Sequence, residues 1–272
     1  MSDWQLDFIL LIPSYNNLNG LRRSLESVNY PPSRFGLLIV DDGSDEPLTP
    51  GSLGPHIPTD TEIIRLPVNA GIVPALNTGM QRLAARKDFR FVARLDCGDV
   101  CAPGRFLRQV AYLDTHPEID LLGTWVLFST SDGKLSYLYK TPVAQKAIWR
   151  GMHFRNLFIH PSVMWRASTL TKISQYPSDL PHAEDYGFFF LLLQQGKAAI
   201  LPETLLTCEL NANGISARHR RQQLNGRMKT VWRYRRNIVL GLLGAMKLQL
   251  MRFVPYRVIL RIHALLKQPA QN

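Results

Sequence analysis

Two aspartates in the stretch FVARLDCGDVCAPGRF, residues 91–106, have the type and spacing of metal or sugar ligands. Asp96 ends an apolar run, and Asp99 follows three residues later, before Pro103 opens a predicted helix. Carboxylate oxygens at the exit of a buried strand can hold a hard cation or accept hydrogen bonds from sugar hydroxyls. Gly98 stands where a third carboxylate could lie, so the stretch is a working metal-phosphate site, an altered one or a plain turn.

Polar residues also follow two earlier apolar runs. Residues 14–16 (SYN) come after LDFILLIP, and residues 41–44 (DDGS) come after FGLLIV. Ligands of open α/β sheets bind outside the carboxyl ends of the strands, so three polar clusters at strand ends predict one binding edge. A carboxylate in DDGS can accept a hydrogen bond from a ribose hydroxyl or a base N–H. The alternative is an ordinary turn, because Asp, Gly and Ser are turn-forming residues.

Three further stretches carry groups suited to nucleotide binding or to proton transfer. NAGIVPALNTG, residues 69–79, places amide and small residues where a backbone can approach a phosphate or base, or it is an ordinary helix entrance. His160 of HPSVM is a ligand or a buried histidine at a strand start. AEDY, residues 183–186, contains two acids. One of them is a general base with a pKa that burial adjusts, or both only complement the dipole of a helix that begins there.

These residues need elements that position them, and the first 118 residues alternate apolar runs with helical patterns. The predicted strands are residues 6–13, 35–44, 61–67 and 89–96, and the predicted helices run from residue 17 or 19 to about 28, from 70 to 86 and from 103 to 117. Strands that alternate with helices predict a parallel sheet covered on both faces.

The pattern changes at residue 119 and predicts a mixed half packed onto the first sheet. It contains a strand over 119–129, a hairpin turn at 131–134 (SDGK), a strand over 160–168 and a buried helix over 182–196 that Gly196 ends.

Composition limits the class of protein. With 272 residues, of which 46% are apolar, the chain can bury one large core in one or two domains. Only three cysteines occur, and no second Cys/His pair follows Cys97 and Cys101 at zinc-like spacing, which disfavours a structural zinc site and suits a reducing compartment. The N-terminal MSDWQLDFILLIP lacks a basic region, so it predicts an early strand and not a signal peptide.

The net charge of +11 is concentrated at the C-terminus. All 21 acidic residues precede residue 210, whereas residues 210–272 hold 13 Lys and Arg. A basic tail favours phosphate, from nucleic acid or anionic lipid. Because the basic residues of 226–267 interleave with aliphatic runs too short to span a bilayer, we predict an interfacial helix on anionic lipid and no nucleic-acid binding. The alternative is a helical hairpin packed on the body and broken at Pro255.

Six motifs together resemble one family. LIPSYNN, LLIVDDGS, NAGIVPALNTG, ARLDCGDVCAPGRFLRQVAYLDTHPEIDLLGT, IHPSVMWR and AEDYGFFFLLLQQG follow the order and spacing of the inverting family 2 glycosyltransferases over about residues 6–210. The resemblance implies an α/β protein with a GT-A type, Rossmann-like nucleotide-binding sheet (1–118), a mixed acceptor-side half (119–210) and a basic amphipathic helical C-terminal region (211–272).

The resemblance also implies roles for individual residues. Asp185 matches the catalytic base of the family. Asp96, Asp99 and His160 match the metal site. The residues matched to the nucleotide donor are Pro13, Tyr15, Asn16, Asp42, Asn69, Gly71, Asn77, Arg94 and Asp96, with Ser216, Arg218 and His219 in a loop that closes over the diphosphate.

By this resemblance the chain is expected to move a sugar, with inversion, from a nucleotide-diphosphate donor (UDP-sugars first) to a glycan or lipid-linked acceptor. The resemblance also implies a part in cell-surface polysaccharide or lipopolysaccharide synthesis. We expect a Mn²⁺ or Mg²⁺ cofactor and a peripheral location at the inner face of the cell membrane. The resemblance leaves open whether the chain forms a homo-oligomer.

Gly98 departs from the family, which usually has Asp-Ala-Asp-Asp at residues 96–99. The departure leaves two rivals: metal-free catalysis with Arg94, Arg218 or His219 stabilising the leaving group, and a non-catalytic binder of sugar nucleotides. A nucleotidyltransferase is a third rival, but the chain lacks a Gly-rich pyrophosphate loop near its N-terminus.

Overall fold

The computed structural model describes residues 4–55, 57–180, 182–210, 219–254 and 258. Nine strands within these residues form one sheet: β1 Leu6–Ser14, β2 Phe35–Asp41, β3 Thr61–Arg65, β4 Phe89–Arg94, β5 Val100–Cys101, β6 Ile119–Ser129, β7 Ser136–Tyr139, β8 Met164–Arg166 and β9 Lys197–Glu209. The strand order is β3-β2-β1-β4-β8-β6-β9-β5, and β7 pairs with β6.

The first four strands in this order are parallel, as the alternation of strands and helices predicts. Every residue of β1 is buried, which fits an uninterrupted apolar run in the centre of a parallel sheet. Ser14 lies opposite Asp41 in the register of β1 and β2, and Leu11 lies opposite Arg94 in that of β1 and β4. The carboxyl ends of three strands, with their polar residues, therefore meet at one edge.

Seven helices in the described residues accompany the sheet: α1 Leu18–Glu26, α2 Ile72–Ala84, α3 Arg105–Thr115, α4 Gln145–Met152, α5 Glu184–Gln195, α6 Arg220–Tyr234 and α7 Ile238–Leu250. Alternate residues of β1 enter two different cores. Ile9 and Leu11 pack with α2 and α5, whereas Phe8 and Leu10 pack with α1 and α3. The sheet is therefore covered on both faces, as predicted.

The second half is mixed, as predicted, but its elements differ in detail. β8 is antiparallel to both β4 and β6, and β9 runs parallel to β6. The strand predicted over 160–168 begins as a 3-10 turn, His160–Ser162, because Pro161 has no N–H for a strand ladder. The strand predicted over 35–44 ends at Asp41, since Gly43 turns the chain at φ +71°.

The two C-terminal helices pack on the body. Leu224 and Val231 of α6 and Leu248 of α7 are buried in the core that contains α5. Gly244 brings α7 against the backbone of His153, where an added Cβ would clash. A helical hairpin is therefore packed on the body, but its break lies at 235–237, between α6 and α7. The predicted break at Pro255 lies outside the described residues.

One face of α7 stays exposed and apolar. Its exposed residues are Ile238, Val239, Leu242, Leu243, Met246 and Leu250. No helix in the described part of the chain is long and apolar enough to cross a membrane.

Candidate active site

Asp96 follows β4, where a buried arginine fixes its carboxylate. Arg94 is fully buried, and its Nη2 donates to Asp96 Oδ1 at 2.5 Å. The same guanidinium donates to the carbonyl oxygens of Leu11 and Leu95. The Asp96 side chain is 40% exposed. The buried guanidinium therefore orients Asp96, and the contact of Arg94 with the ribose or diphosphate stays a prediction.

His160 lies beside Arg94 and acts as a hydrogen-bond acceptor. Arg94 Nε is only a donor, so His160 Nε2 accepts from it at 3.3 Å and from the Tyr176 hydroxyl at 2.9 Å. Burial, and then the Arg94 charge, hold the pKa of His160 well below its usual range, which leaves the ring neutral. Two donors therefore occupy Nε2, and the part of His160 as a metal ligand stays a prediction.

Asp99 is turned toward β9. Its carboxylate accepts from the Glu209 N–H at 3.1 Å and from the Cys208 thiol at 3.3 Å. Burial, and then the charge of Asp96, raise the pKa of Asp99 to about 7. No three His, Cys, Asp or Glu side chains in the described residues are grouped so that they could hold a metal ion. The described residues therefore do not group Asp96, Asp99 and His160 as three ligands, and their parts in metal binding stay predictions.

Gly98 is required by the backbone of this turn. Its φ is +106°, and an added Cβ would lie 3.2 Å from Arg23 Nη2 and 3.5 Å from Glu209 Oε2. Arg23 donates to the carbonyl oxygen of Gly98 and pairs with Glu209. A side chain at this position is strained, so the glycine that departs from the family pattern is part of this turn.

Asn16 ties the end of β1 to the turn after β2. Its N–H donates to Ser44 Oγ at 2.9 Å, and its Nδ2 and Oδ1 bind Asp45 at 3.0 and 2.8 Å. Asn16 and Ser44 line a cavity of about 570 Å³, within the size range of ligand pockets. Tyr15, the preceding residue, is 44% exposed. Asn16 therefore lies in a cavity wall, and the nucleotide contacts of Tyr15 and Asn16 stay predictions.

Asp42 holds the entrance of α2. It is 5% exposed, and its carboxylate accepts from the N–H groups of Ala70 and Gly71 at 2.8 and 2.9 Å. Asn69 Oδ1 also accepts from Gly71 N–H, at 3.1 Å, and Gly71 adopts φ +92°. The structure thus gives Asp42 and Asn69 a positioning part that the sequence did not reveal. Their contacts with a base or ribose, and that of Gly71, stay predictions.

Asn77 fastens a distant loop. Its Nδ2 donates to Tyr176 O at 3.2 Å, and its Oδ1 accepts from Tyr176 N–H at 2.7 Å. Both amide atoms are therefore engaged with backbone, and the prediction that Asn77 flanks the nucleotide stays a prediction. Through Tyr176, Asn77 instead supports the hydroxyl that orients His160.

Asp185 lies in the first turn of α5, where the helix and a partner side chain orient it. Its Oδ2 accepts from Asn156 Nδ2 at 2.9 Å, and its Oδ1 accepts from the Tyr186 N–H at 2.7 Å. Burial raises the pKa of Asp185, and the charge of Arg227 opposes that shift. A carboxylate with a raised pKa is a stronger base once ionised, so Asp185 is suited to accept a proton near neutral pH.

Two cavities meet at Asp185. The first, about 370 Å³, is called the Asp96 cavity, and it is lined by Pro13, Ile72, Asp96, His160, His182, Glu184, Asp185 and Gln223. The second, about 420 Å³, is called the aromatic cavity, and Phe128, Tyr137, Tyr139 and Phe154 are in its wall. Asp185, His160 and Gln223 line both. A ligand in each cavity would bring two reacting groups together at one carboxylate.

Glu184, next to Asp185, is a second carboxyl group at the Asp96 cavity. It is 8% exposed, and its Oε2 has no hydrogen-bond partner among the described residues. Burial, and then the charge of Asp185, raise its pKa to about 7. Glu184 lines only the Asp96 cavity, whereas Asp185 lines both, so the geometry favours Asp185 as the base. The AEDY motif is the sequence signal that points to both carboxyl groups.

The loop predicted to close over the diphosphate is only partly described. Ser216 and Arg218 lie outside the described residues. His219 stacks on His182, with ring centroids 4.4 Å apart, and Gln222 Oε1 lies 3.1 and 3.0 Å from ring nitrogens of the two histidines. Since His182 lines the Asp96 cavity, His219 lies beside the mouth of that cavity.

Sequence comparisons identify relatives among glycosyltransferases. The amylovoran biosynthesis glycosyltransferase AmsE of Erwinia amylovora is 30% identical over 157 residues, 57% of this chain and 57% of that protein. The O-antigen biosynthesis glycosyltransferase WbnJ of Escherichia coli is 24% identical over 173 residues, 63% of this chain and 66% of that protein. The chain thus spans a little over half the length of AmsE.

Solved structures and a family model place the fold. The chain resembles S. aureus TarS 1–349 in complex with UDP, with a TM-score of 0.66 at 16% identity over 93% of this chain and 73% of that chain. It resembles the mannosyltransferase PcManGT from Pyrobaculum calidifontis in complex with GDP-Man and Mn²⁺, with a TM-score of 0.65 at 15% identity over 97% and 75%. These neighbours confirm the predicted GT-A fold. The model of Glycosyl transferase family 2 matches residues 9–172, more than half of the sequence, and the chain belongs to that family.

Proposed function

We propose that the protein transfers a sugar, with inversion, from a nucleotide-diphosphate sugar in the Asp96 cavity to an acceptor hydroxyl in the aromatic cavity. The observation that carries this proposal is the position of Asp185, which lines both cavities and is oriented by Asn156. Membership of glycosyl transferase family 2 supports it.

The proposed reaction is a single displacement. Asp185 accepts the proton of the acceptor hydroxyl while the hydroxyl oxygen attacks the anomeric carbon. The bond between that carbon and the diphosphate oxygen breaks, and the electron pair leaves with the diphosphate. Asn156 holds Asp185 in place.

We propose a UDP-sugar as the first donor candidate, because TarS has been crystallised with UDP. A GDP-sugar is the second candidate, because PcManGT has been solved with GDP-Man. A divalent cation fits Asp96, because its carboxylate is 40% exposed and no described residue bonds its second oxygen. Hard cations are often held by one or two carboxylates together with substrate phosphates. When bound, the cation would offset the negative charge that develops on the leaving diphosphate.

The proposed product is part of a cell-surface glycan, since AmsE and WbnJ are named for polysaccharide and O-antigen biosynthesis. We propose that the protein works on an anionic membrane surface, and the exposed apolar face of α7 with its neighbouring basic residues supports this. A homo-oligomer through the same face is the competing proposal.

Release of nucleoside diphosphate from a panel of nucleotide sugars, with a mixed glycan and lipid-linked acceptor pool, tests the transferase. Asp185→Asn keeps size and hydrogen bonding but cannot accept the proton, so turnover should fall by about 10²–10⁴ with donor affinity kept. Asp179→Asn, on the exposed surface, is the matched control and should keep full turnover.

Two outcomes would contradict the proposal. Near-normal turnover of Asp185→Asn removes the base assignment. Donor binding without any release of nucleoside diphosphate favours a non-catalytic sugar-nucleotide binder. Full activity after chelation, with no response to Mn²⁺ or Mg²⁺, would support metal-free catalysis.

A further inference from the structure

The aromatic cavity carries a marked excess of positive charge. Four basic side chains line it: Arg155, Arg220, Arg227 and Lys247. Among the described residues in its wall, Asp185 is the only acidic one. Neutral glycan acceptors need aromatic surface and a few polar groups, so this many cations beside one carboxylate calls for a separate explanation.

Three of these cations form no close ion pair with a described residue, although the charge of Arg227 acts on Asp185. Arg155, Arg227 and Lys247 form no ion pair within the described part of the chain. Arg155 lies over the Tyr139 ring, at 4.9 Å, and donates to Lys140 O at 3.4 Å. By contrast, Arg220 is engaged with the carbonyl oxygens of Met251 and Val254, which assigns it to the α6–α7 contact.

Lys247 shows the electrostatic cost of this arrangement. It is exposed on α7, and partial desolvation of its ammonium group, followed by the positive charge of Arg155, lowers its pKa. An anion bound beside these like charges would offset their repulsion.

We propose that the acceptor carries an anionic group, a phosphate or a carboxylate, which Arg155, Arg227 and Lys247 bind in the aromatic cavity beside Asp185. This inference rests on the proposed function and names its acceptor class. Arg227 is close enough to Asp185 to affect its ionisation, so an anion at the cluster holds the acceptor next to the base. The aromatic wall, where Phe128 stacks on Tyr137 at 5.2 Å, covers the rest of the acceptor.

Binding to the full chain, measured by calorimetry with UDP saturating the donor site, tests the proposal. The probes are inorganic phosphate, octyl diphosphate, glucuronate and neutral glucose. We expect the preferred anionic probe to bind at least tenfold more tightly than glucose, and the advantage to shrink as salt rises. Octyl diphosphate as the preferred probe identifies a lipid-diphosphate acceptor, and glucuronate identifies an acidic sugar.

Charge-removing variants locate the site. Lys247→Gln and Arg155→Gln should each weaken binding of the anionic probe by about tenfold. Lys229→Gln and Arg150→Gln, at exposed positions outside the cavity, should leave that binding unchanged. Lys247→Arg should restore binding. Thermal unfolding of Lys247→Gln should occur at the same or a higher temperature, because the substitution removes charge repulsion.

The proposal is overturned if anionic probes bind no better than glucose, or if the control variants weaken their binding as much as Lys247→Gln does. It is overturned too if Lys247→Arg fails to restore binding. It is also overturned if Lys247→Gln weakens the binding of UDP instead, since the cluster would then bind the donor. These binding measurements need no sugar transfer, so their failure is separate from failure to release nucleoside diphosphate.

Discussion

At the scale of single residues, two adjacent carboxyl groups differ in their surroundings. Asp185 is oriented by Asn156 and by the first turn of α5, whereas Glu184 Oε2 is buried without a partner among the described residues. Such differences assign separate roles to neighbouring acids. Asp185 is held ready for proton transfer, and Glu184 has an unsatisfied oxygen that a donor hydroxyl can meet.

Glu184→Gln should change how stability depends on pH. The pKa of Glu184 is about 7 in the folded protein and 4.5 in the unfolded chain, so folding takes up a proton between these pH values. The free energy of unfolding therefore falls as pH rises from about 4.5 to 7 and levels off above. Glutamine removes this fall, and at pH 8 the variant should be more stable by about 1 kcal/mol or more, as urea unfolding measures.

Glu118→Gln, at an exposed position, is the control and should keep the wild-type pH dependence. Both proteins are measured without nucleotide or metal, because Asp185 and Asp96 also act on Glu184. An unchanged slope between pH 4.5 and 7 in Glu184→Gln would show that another group causes the fall.

The site residues that the sequence could predict are those in short motifs at strand ends and helix starts. Asp185, Asp96 and Asn16 lie where their motifs indicated. The directions of Arg94, Asp99 and Asn77 could not be predicted, because they depend on partners far along the chain. Asp99, for example, is turned by a thiol and an N–H of β9, at residues 208 and 209.

At the scale of elements, α1 supports the turn that presents Asp96. Ser24 is fully buried, and its Oγ lies 3.0 Å from Asp96 O and 2.8 Å from Asp99 O while it accepts from Gly98 N–H at 2.9 Å. Three backbone groups of one turn thus depend on one hydroxyl.

Ser24→Ala should destabilise the protein by about 1–3 kcal/mol, because buried backbone groups lose their partner. The turn should also hold Asp96 less well, so the KM for the donor should rise more than kcat falls. Urea unfolding and initial rates measure the two effects.

Ser168→Ala, at an exposed position, should leave both quantities unchanged. A Ser24→Ala protein of wild-type stability and donor KM would show that the turn is held by its other contacts, such as the Gly98 N–H to Gly20 O bond.

The parallel half of the fold was predictable because each strand is an unbroken apolar run. β9 was not predicted, and its sequence KAAILPETLLTCE explains why, since Pro202 and Glu203 interrupt the pattern. The structure accommodates them by shifting the β6–β9 register beside Thr124 and Trp125. A bulge of this kind follows from pairing with a neighbour, which local sequence does not encode.

At the scale of the whole molecule, the C-terminal helices have two different faces. One face of α6 and α7 completes the aromatic cavity with Arg227 and Lys247. The other exposes the apolar residues of α7, with the exposed Arg236 and Arg252 near its two ends. We propose that the apolar face meets a membrane while the cavity face receives a lipid-linked acceptor.

Binding of the full chain to phosphatidylglycerol vesicles, measured by co-sedimentation, should therefore exceed binding to phosphatidylcholine vesicles and weaken as salt rises. Leu243→Ser with Met246→Ser should reduce it by tenfold or more, because each exposed side chain loses apolar area that lipid would bury. Leu107→Ser with Val143→Ser, equally exposed but outside α7, is the matched control and should bind like the wild type. Equal binding of both double variants would exclude the α7 face as the membrane contact. No vesicle binding, together with dimerisation that only the α7 variant abolishes, would instead assign this face to a second copy of the chain.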